Sequence, residues 1–295
     1  MVYRAGDHGA HDVAPTLAAN GAVLDLGTEW GIWTRVEPAP ADPDTIERLY
    51  PTGLFLKRLS PSTLWLRIPD FNDSRAKPLL AALAAHQAEL AATPNLVIDL
   101  RRNGGGSDYV YAPILPLIYT RPVVTIGIEM RASADNIALR RAIADQIRAE
   151  APEPAAGLDA QNALMAAHPG EFVQPDPLPF SIDRQAKVLV NPRHVAVLID
   201  GAGSTGEQFL LDARQSRKVT LMGQRNSAGV LDFANVVGMA TPSGRFRLQW
   251  ATSRSLRVPA DPVDPDGIAP DVRIPADVSD PVAWAQAWLE RRPAD

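Results

Sequence analysis

Short apolar runs alternate with amphipathic stretches along most of this chain. Leu64–Ile68 (LWLRI), Leu96–Leu100 (LVIDL), Val195–Ile199 (VAVLI) and Val219–Met222 are apolar almost throughout. Each is too short for a core helix and predicts a strand. Val123–Met130 predicts another strand. Phe233–Thr241 and Arg245–Thr252 predict a hairpin around Pro242-Ser243-Gly244. Leu79, Leu83 and Leu90 recur at helical spacing, so Ala76–Leu90 predicts a helix, with His86 as a partly buried structural residue on the same stripe. Helical patterns also cover Asp108–Tyr119, Ser133–Glu150, Gly157–His168, Thr205–Arg214 and Pro281–Arg291. Pro152 and Pro154 are expected to stop the second of these. Strands alternating with helices predict an α/β fold with a mostly parallel sheet. Residues 1–60 read as an irregular N-terminal segment interrupted by Pro38, Pro40, Pro43 and Pro51. The remaining 61–295 read as one domain, in which 131–185, charged and proline-rich, is expected to be a helical insertion, a lid or side wall.

Composition narrows the function classes. Hydrophobic residues are 46% of the 295 and charged residues 21%, which is ordinary for a globular protein. The net charge is −5 with no basic block, which argues against nucleic acid as a partner. There is no cysteine, so disulfides, thiolate chemistry and cysteine-ligated metals are excluded. No apolar run reaches the ~18 residues of a membrane span. The N-terminal MVYRAGDHGAHDV lacks the apolar core of a signal peptide, so the chain as written is expected not to be exported.

The candidate chemistry lies in HVAVLIDGAGSTGEQFLLD, where a strand leads through a small-residue turn to Ser204 and then a helix. A hydroxyl there stands at the mouth of a sheet beside unpaired helix amides, which can stabilise an oxyanion. The same residues also fit a helix cap, with Glu207 completing a capping box. After Leu96–Leu100 comes Arg101-Arg102-Asn103-Gly104-Gly105-Gly106-Ser107. Three glycines let backbone amides approach a ligand closely. The lysine of a P-loop is missing and the Rossmann spacing is absent, so no nucleotide cofactor is expected.

Four motifs in order, LVIDLRRNGGG, AGSTGEQF, LMGQRNSAGV and DGIAPDV, resemble the tail-specific, or C-terminal processing, serine peptidases, in particular their tricorn-core branch, over roughly residues 62–290. The resemblance implies a ClpP/crotonase-like spiral of β-β-α units. It implies Ser204 as nucleophile, the amides of Gly106 and Thr205 as the oxyanion hole, and protein or peptide substrates with no cofactor or metal. Glu207 is assigned to helix support. The processing branch uses a lysine after GxxTxGK, but here that region reads GQRNSAGV. Arg225 stays protonated and cannot replace it. Lys218 lies before the motif, and His194 at the far end of the strand. The tricorn-like branch uses a histidine and an acid, and the acid falls on Asp264, with Asp261 and Asp266 as weaker matches. The histidine falls on His8 or His11. Two alternatives stay open: a peptide-binding relative that has lost its base, and an acyl-CoA enzyme on the same general fold.

Overall fold

The computed structural model describes residues 50–292. Six strands form the central sheet: β1 (Phe55–Ser60), β2 (Thr63–Arg67), β3 (Asn95–Asp99), β8 (His194–Leu198), β9 (Val219–Gly223) and β12 (Val272–Arg273), in the order β1-β2-β3-β8-β9-β12. All neighbours are parallel except β1 and β2. β1 lies inside the stretch expected to be irregular, so the sheet begins before residue 61. β2 and β3 are buried at every position, as strands covered on both faces must be. Side chains alternate between the faces. Leu64, Leu66, Leu96, Ile98, Val195 and Val197 join one core cluster, and Trp65, Val97, Ala196 and Leu198 join another.

Helices cover both faces. The predicted helix over 76–90 is two, α1 (Ala76–Ala85) and α2 (Gln87–Ala92). They part at His86, whose Nδ1–H donates to the Ala82 carbonyl at 2.9 Å, alongside the backbone bond to that same oxygen. The predicted Asp108–Tyr119 helix is a series of single turns, including α3 (Asp108–Tyr111) and α4 (Leu115–Ile118), because Pro113 and Pro116 withhold amides. Val123–Met130 divides into β4 (Val123–Ile126) and β5 (Ile128–Arg131). Gly127 turns the chain out of β4, its amide donating to Pro179 O at 2.8 Å and its carbonyl accepting from Leu256.

α5 (Ala134–Ile147) starts at Ser133, whose hydroxyl accepts from Asn136 N. α6 (Pro152–Ala167) contains Pro152 and Pro154 in its first turn, where a missing amide costs nothing, so these prolines begin a helix as well as follow one. β6 (Phe172–Val173) and β7 (Phe180–Asp183) complete the segment. Met130, Ala132, Met165 and Val173 form a small cluster of their own, separate from the main core. α7 (Thr205–Ala213) packs Phe209 and Leu210 into the main core. β10 (Phe233–Ala240) and β11 (Arg247–Ser255) form the predicted hairpin, within a second sheet of order β10-β11-β5-β6. α8 (Pro281–Glu290) covers the other face through Val282, Ala285 and Leu289. Among the described residues no helix is long and apolar enough to cross a membrane.

Candidate active site

β3 and β8 are parallel neighbours in register, Asp99 opposite Leu198. The pairing continues past both strands, with Leu100 N donating to Leu198 O at 3.0 Å and Arg102 N to Asp200 O at 2.8 Å. The glycine run and the serine turn therefore leave adjacent strand ends. Asn103 joins them. Its carbonyl accepts from Gly203 N at 2.8 Å and its Oδ1 from Gly105 N at 2.9 Å, while its Nδ2 donates to Ile68 O at 3.2 Å. The carboxyl ends of parallel strands are where such sheets open a crevice for ligands.

Ser204 sits at φ 53°, ψ −122°. This is the region of the first central residue of a type II′ turn, natural for glycine and strained for serine by about 1–3 kcal/mol. Gly105, at φ +96°, packs so tightly that a Cβ on it would lie 2.7 Å from Ser204 Cβ and 3.0 Å from Thr205 N. A Cβ on Gly106 would meet the Phe71 carbonyl at 2.1 Å. The Thr205 hydroxyl donates to Gly106 O at 2.9 Å, tying the two loops together. Among the described residues, neither the Gly106 amide nor the Thr205 amide has an acceptor. Two fixed donors thus stand free beside a hydroxyl at a helix N-terminus.

Ser204 is also the N-cap of α7, the position that the capping reading expects. Glu207 Oε2 accepts from Ser204 N at 3.1 Å and from Val230 N at 2.9 Å. Its Oε1 accepts from Ser227 Oγ at 2.6 Å and Gly229 N at 2.7 Å. Glu207 is fully buried. All four bonds are to neutral donors that position the serine turn and the 227–230 loop, which fits support of the helix and the turn.

Ser204 opens on a cleft of about 1030 Å³, walled by Ile126, Ile128 and Phe180 on one side and Val230, Phe233 and Val236 on another. Asp108, Thr125 and Gln208 also line it. Beneath them lies Asp212, 3% exposed, which accepts from Tyr111 Oη at 2.8 Å, Gln208 Nε2 at 2.9 Å and Thr125 Oγ1 at 3.1 Å. Burial pushes the Asp212 carboxyl up to about 6 against those three donors, and the charge of Asp108 adds to the rise. Asp108 is exposed at the cleft, and the protein packed about its carboxyl raises its pKa, opposed by the Thr205 hydroxyl.

Asp264, His194 and Lys218 do not line the cleft. Asp264 Oδ1 accepts from Leu231 N at 2.7 Å and Asp232 N at 3.1 Å. Asp232 Oδ2 in turn accepts from Asp264 N at 2.8 Å and from Val263 N. Asp264 therefore clasps the chain just behind the cleft wall at Leu231 and is not itself a lining residue. His8 and His11 lie outside the described residues. His194 begins β8 and Ser204 follows its far end, so that histidine is not at the site. Val195 N donates to Lys218 O, which sets Lys218 at the same remote end. Its Nζ donates to Leu189 O at 2.6 Å, and burial lowers its pKa. No histidine, lysine or carboxylate among the described residues is hydrogen-bonded to the Ser204 hydroxyl. Reading the residues in line had missed Asp108, Gln208 and Asp212. Gln208 and Asp212 stand four and eight positions after Ser204, on one face of α7, a spacing that could have revealed them.

No curated protein matches this chain. It is similar in fold to a protein of Parabacteroides merdae assigned as a peptidase, at 17% identity and a TM-score of 0.53, over 86% of this chain and 71% of that one. It is also similar to mature CPAF complexed with lactacystin, at 16% identity and a TM-score of 0.51, over 72% of this chain but only 47% of CPAF. The sequence profile of peptidase family S41 matches residues 62–274, a span that holds the glycine run, the serine turn and the last strand of the sheet, and the chain belongs to that family.

Proposed function

We propose that this chain is a serine peptidase that hydrolyses peptide bonds in protein or peptide substrates through an acyl-enzyme on Ser204. The observation that carries the reading is the strained serine at the α7 N-terminus with the free Gly106 and Thr205 amides beside it. The hydroxyl oxygen attacks the scissile carbonyl, and the carbonyl oxygen becomes an oxyanion facing those two amides. Collapse expels the amine and leaves an ester on Ser204, which water then hydrolyses. Membership of a peptidase family argues against the acyl-CoA alternative.

The hydroxyl needs a group to take its proton. His8 and His11 are the bases that the family resemblance offers, with Asp264 as the acid. A base-deficient, peptide-binding relative is the second reading, favoured by the lack of a described histidine or lysine on Ser204. A fluorophosphonate probe separates the two. With a histidine base, Ser204 labels at a rate that rises with pH through about 6.5. Replacing the responsible histidine by alanine removes most of that labelling. No labelling of the intact chain establishes the base-deficient reading. Equal labelling with both histidines replaced rules them out as the base.

Gly105→Ala tests the packing of the oxyanion loop. Its Cβ would press on Ser204 Cβ and Thr205 N, at a φ that alanine resists. Displacing one donor should slow labelling by about 10²-fold, as loss of a single oxyanion donor does elsewhere. Unchanged labelling kinetics would mean that this loop does not shape the site.

A further inference from the structure

Asp108 and Asp176 are the carboxylates that line the cleft, and Asp212 lies beneath Gln208. Asp108 lines the wall beside Ser204 and Thr205, and among the described residues no lysine or arginine lines the cleft with it. Among the described ion pairs neither Asp108 nor Asp212 takes part. Buried carboxylates elsewhere are met in two ways, Glu207 by neutral donors and Asp99 by cations. Buried Asp99 holds Arg101 at 2.8 Å and Arg67 at 3.4 Å. Asp212 is satisfied by neutral donors, with no cation paired to it among the described residues. Burial raises the Asp212 carboxyl, and the charge of Asp108 adds to the rise. A cation beside Asp108 would offset the charge that Asp108 presents to Asp212.

Geometry says which part of a substrate arrives there. The scissile carbonyl oxygen must sit at the Gly106 and Thr205 amides. The side chain of the residue that owns this carbonyl branches one atom away. It therefore leaves along the wall next to the donors, which Asp108 and Gln208 supply. Gln208 Nε2 is held by Asp212 Oδ1 at 2.9 Å, which leaves its Oε1 as a further acceptor at the cleft.

Building on the peptidase reading, we infer that Asp108 is a specificity-determining residue that selects a cationic side chain, lysine or arginine, on the acyl side of the scissile bond. Asp212 acts through Gln208 and through its own charge, and is a positioning residue. The apolar wall formed by Phe233 and Val236 takes neighbouring apolar side chains of the same segment.

The test uses the full chain carrying Ser204→Ala, which separates binding from chemistry. Fluorescein-labelled alanine-rich heptapeptides carry a central lysine, arginine or norleucine, and fluorescence anisotropy reads their affinity. Norleucine matches the lysine stem without the charge. The lysine and arginine peptides are expected to bind at least 10-fold more tightly than the norleucine peptide in low salt. That advantage should disappear with Asp108→Asn and return with Asp108→Glu. Equal affinity for lysine and norleucine, or a preference that survives Asp108→Asn, overturns the assignment. In parallel, fluorophosphonate labelling of the chain with Ser204 intact reports on the peptidase reading alone. Labelling with no charge preference sinks the specificity and leaves the peptidase standing. Failure of all three peptides to bind together with absence of labelling overturns both.

Discussion

Ser204→Ala is expected to abolish peptide-bond cleavage while leaving the protein folded. In serine peptidases that act through an acyl-enzyme, removal of the nucleophile costs on the order of 10⁶-fold in kcat, and the oxyanion donors alone sustain about 10³-fold over water. The fold should barely respond. Ser204 is half-buried, and alanine keeps the same turn apart from a cap worth about 1 kcal/mol, or a few degrees in Tm for a domain of this size. Ser204→Gly sharpens the test. At φ 53°, ψ −122° glycine relieves strain that serine carries, so this variant should melt at or above the temperature of the parent and still be inactive. Such a pair would show stability given up for a reactive hydroxyl at one position. Casein or peptide cleavage that survives in either variant would remove Ser204 from the mechanism. A glycine variant that is markedly less stable would mean that the turn is not strained.

How far the sequence reached depends on how local each feature is. The strand, small-residue turn, serine and helix lie within Val195–Arg214, and the observed β8 and α7 fall within a residue of the expected bounds. The hairpin of β10 and β11 was equally legible, because its turn signal and its alternation are contiguous. The proximity of Gly106 to Ser204 was not visible in the pattern of either segment. It came from the motif resemblance, and it depends on β3 pairing with β8 across about a hundred residues. Breaks inside elements were missed for physical reasons. Gly127 divides a run that looks continuous because Pro179 and Leu256, far along the chain, take its backbone groups. His86 ends a helix through a side-chain bond to Ala82, although its position on the apolar stripe predicted continuity. Asp108 and Asp212 were hidden for the same reason. Asp212 meets Tyr111 and Thr125 only once α3, β4 and α7 converge. In line, Asp108 reads as an ordinary first-turn acid.

Glu207 shows the same division within one side chain, and its replacement should have the largest effect on stability. Its bond to Ser204 N is the local half of a capping box and was legible. Its bonds to Ser227, Gly229 and Val230 were not. Glu207→Ala would leave four donors facing a void at a position with no solvent exposure. Each buried donor without an acceptor costs about 1–3 kcal/mol, and water entering the space recovers part of this, so a net loss of about 4 kcal/mol is expected. That corresponds to a fall in Tm of roughly 10 °C. Glu207→Gln keeps the volume but turns an NH₂ group toward donors, and should lose about half as much. Both variants should label with fluorophosphonate more slowly than the parent at temperatures where they are folded, because the Ser204 amide and the 227–230 loop lose a common anchor. The profile separates support from chemistry. A supporting Glu207 couples the loss of labelling to the loss of Tm across alanine and glutamine. An acid or base would be silenced equally by both replacements, with the glutamine variant melting like the parent, and that result would move Glu207 from scaffold to mechanism.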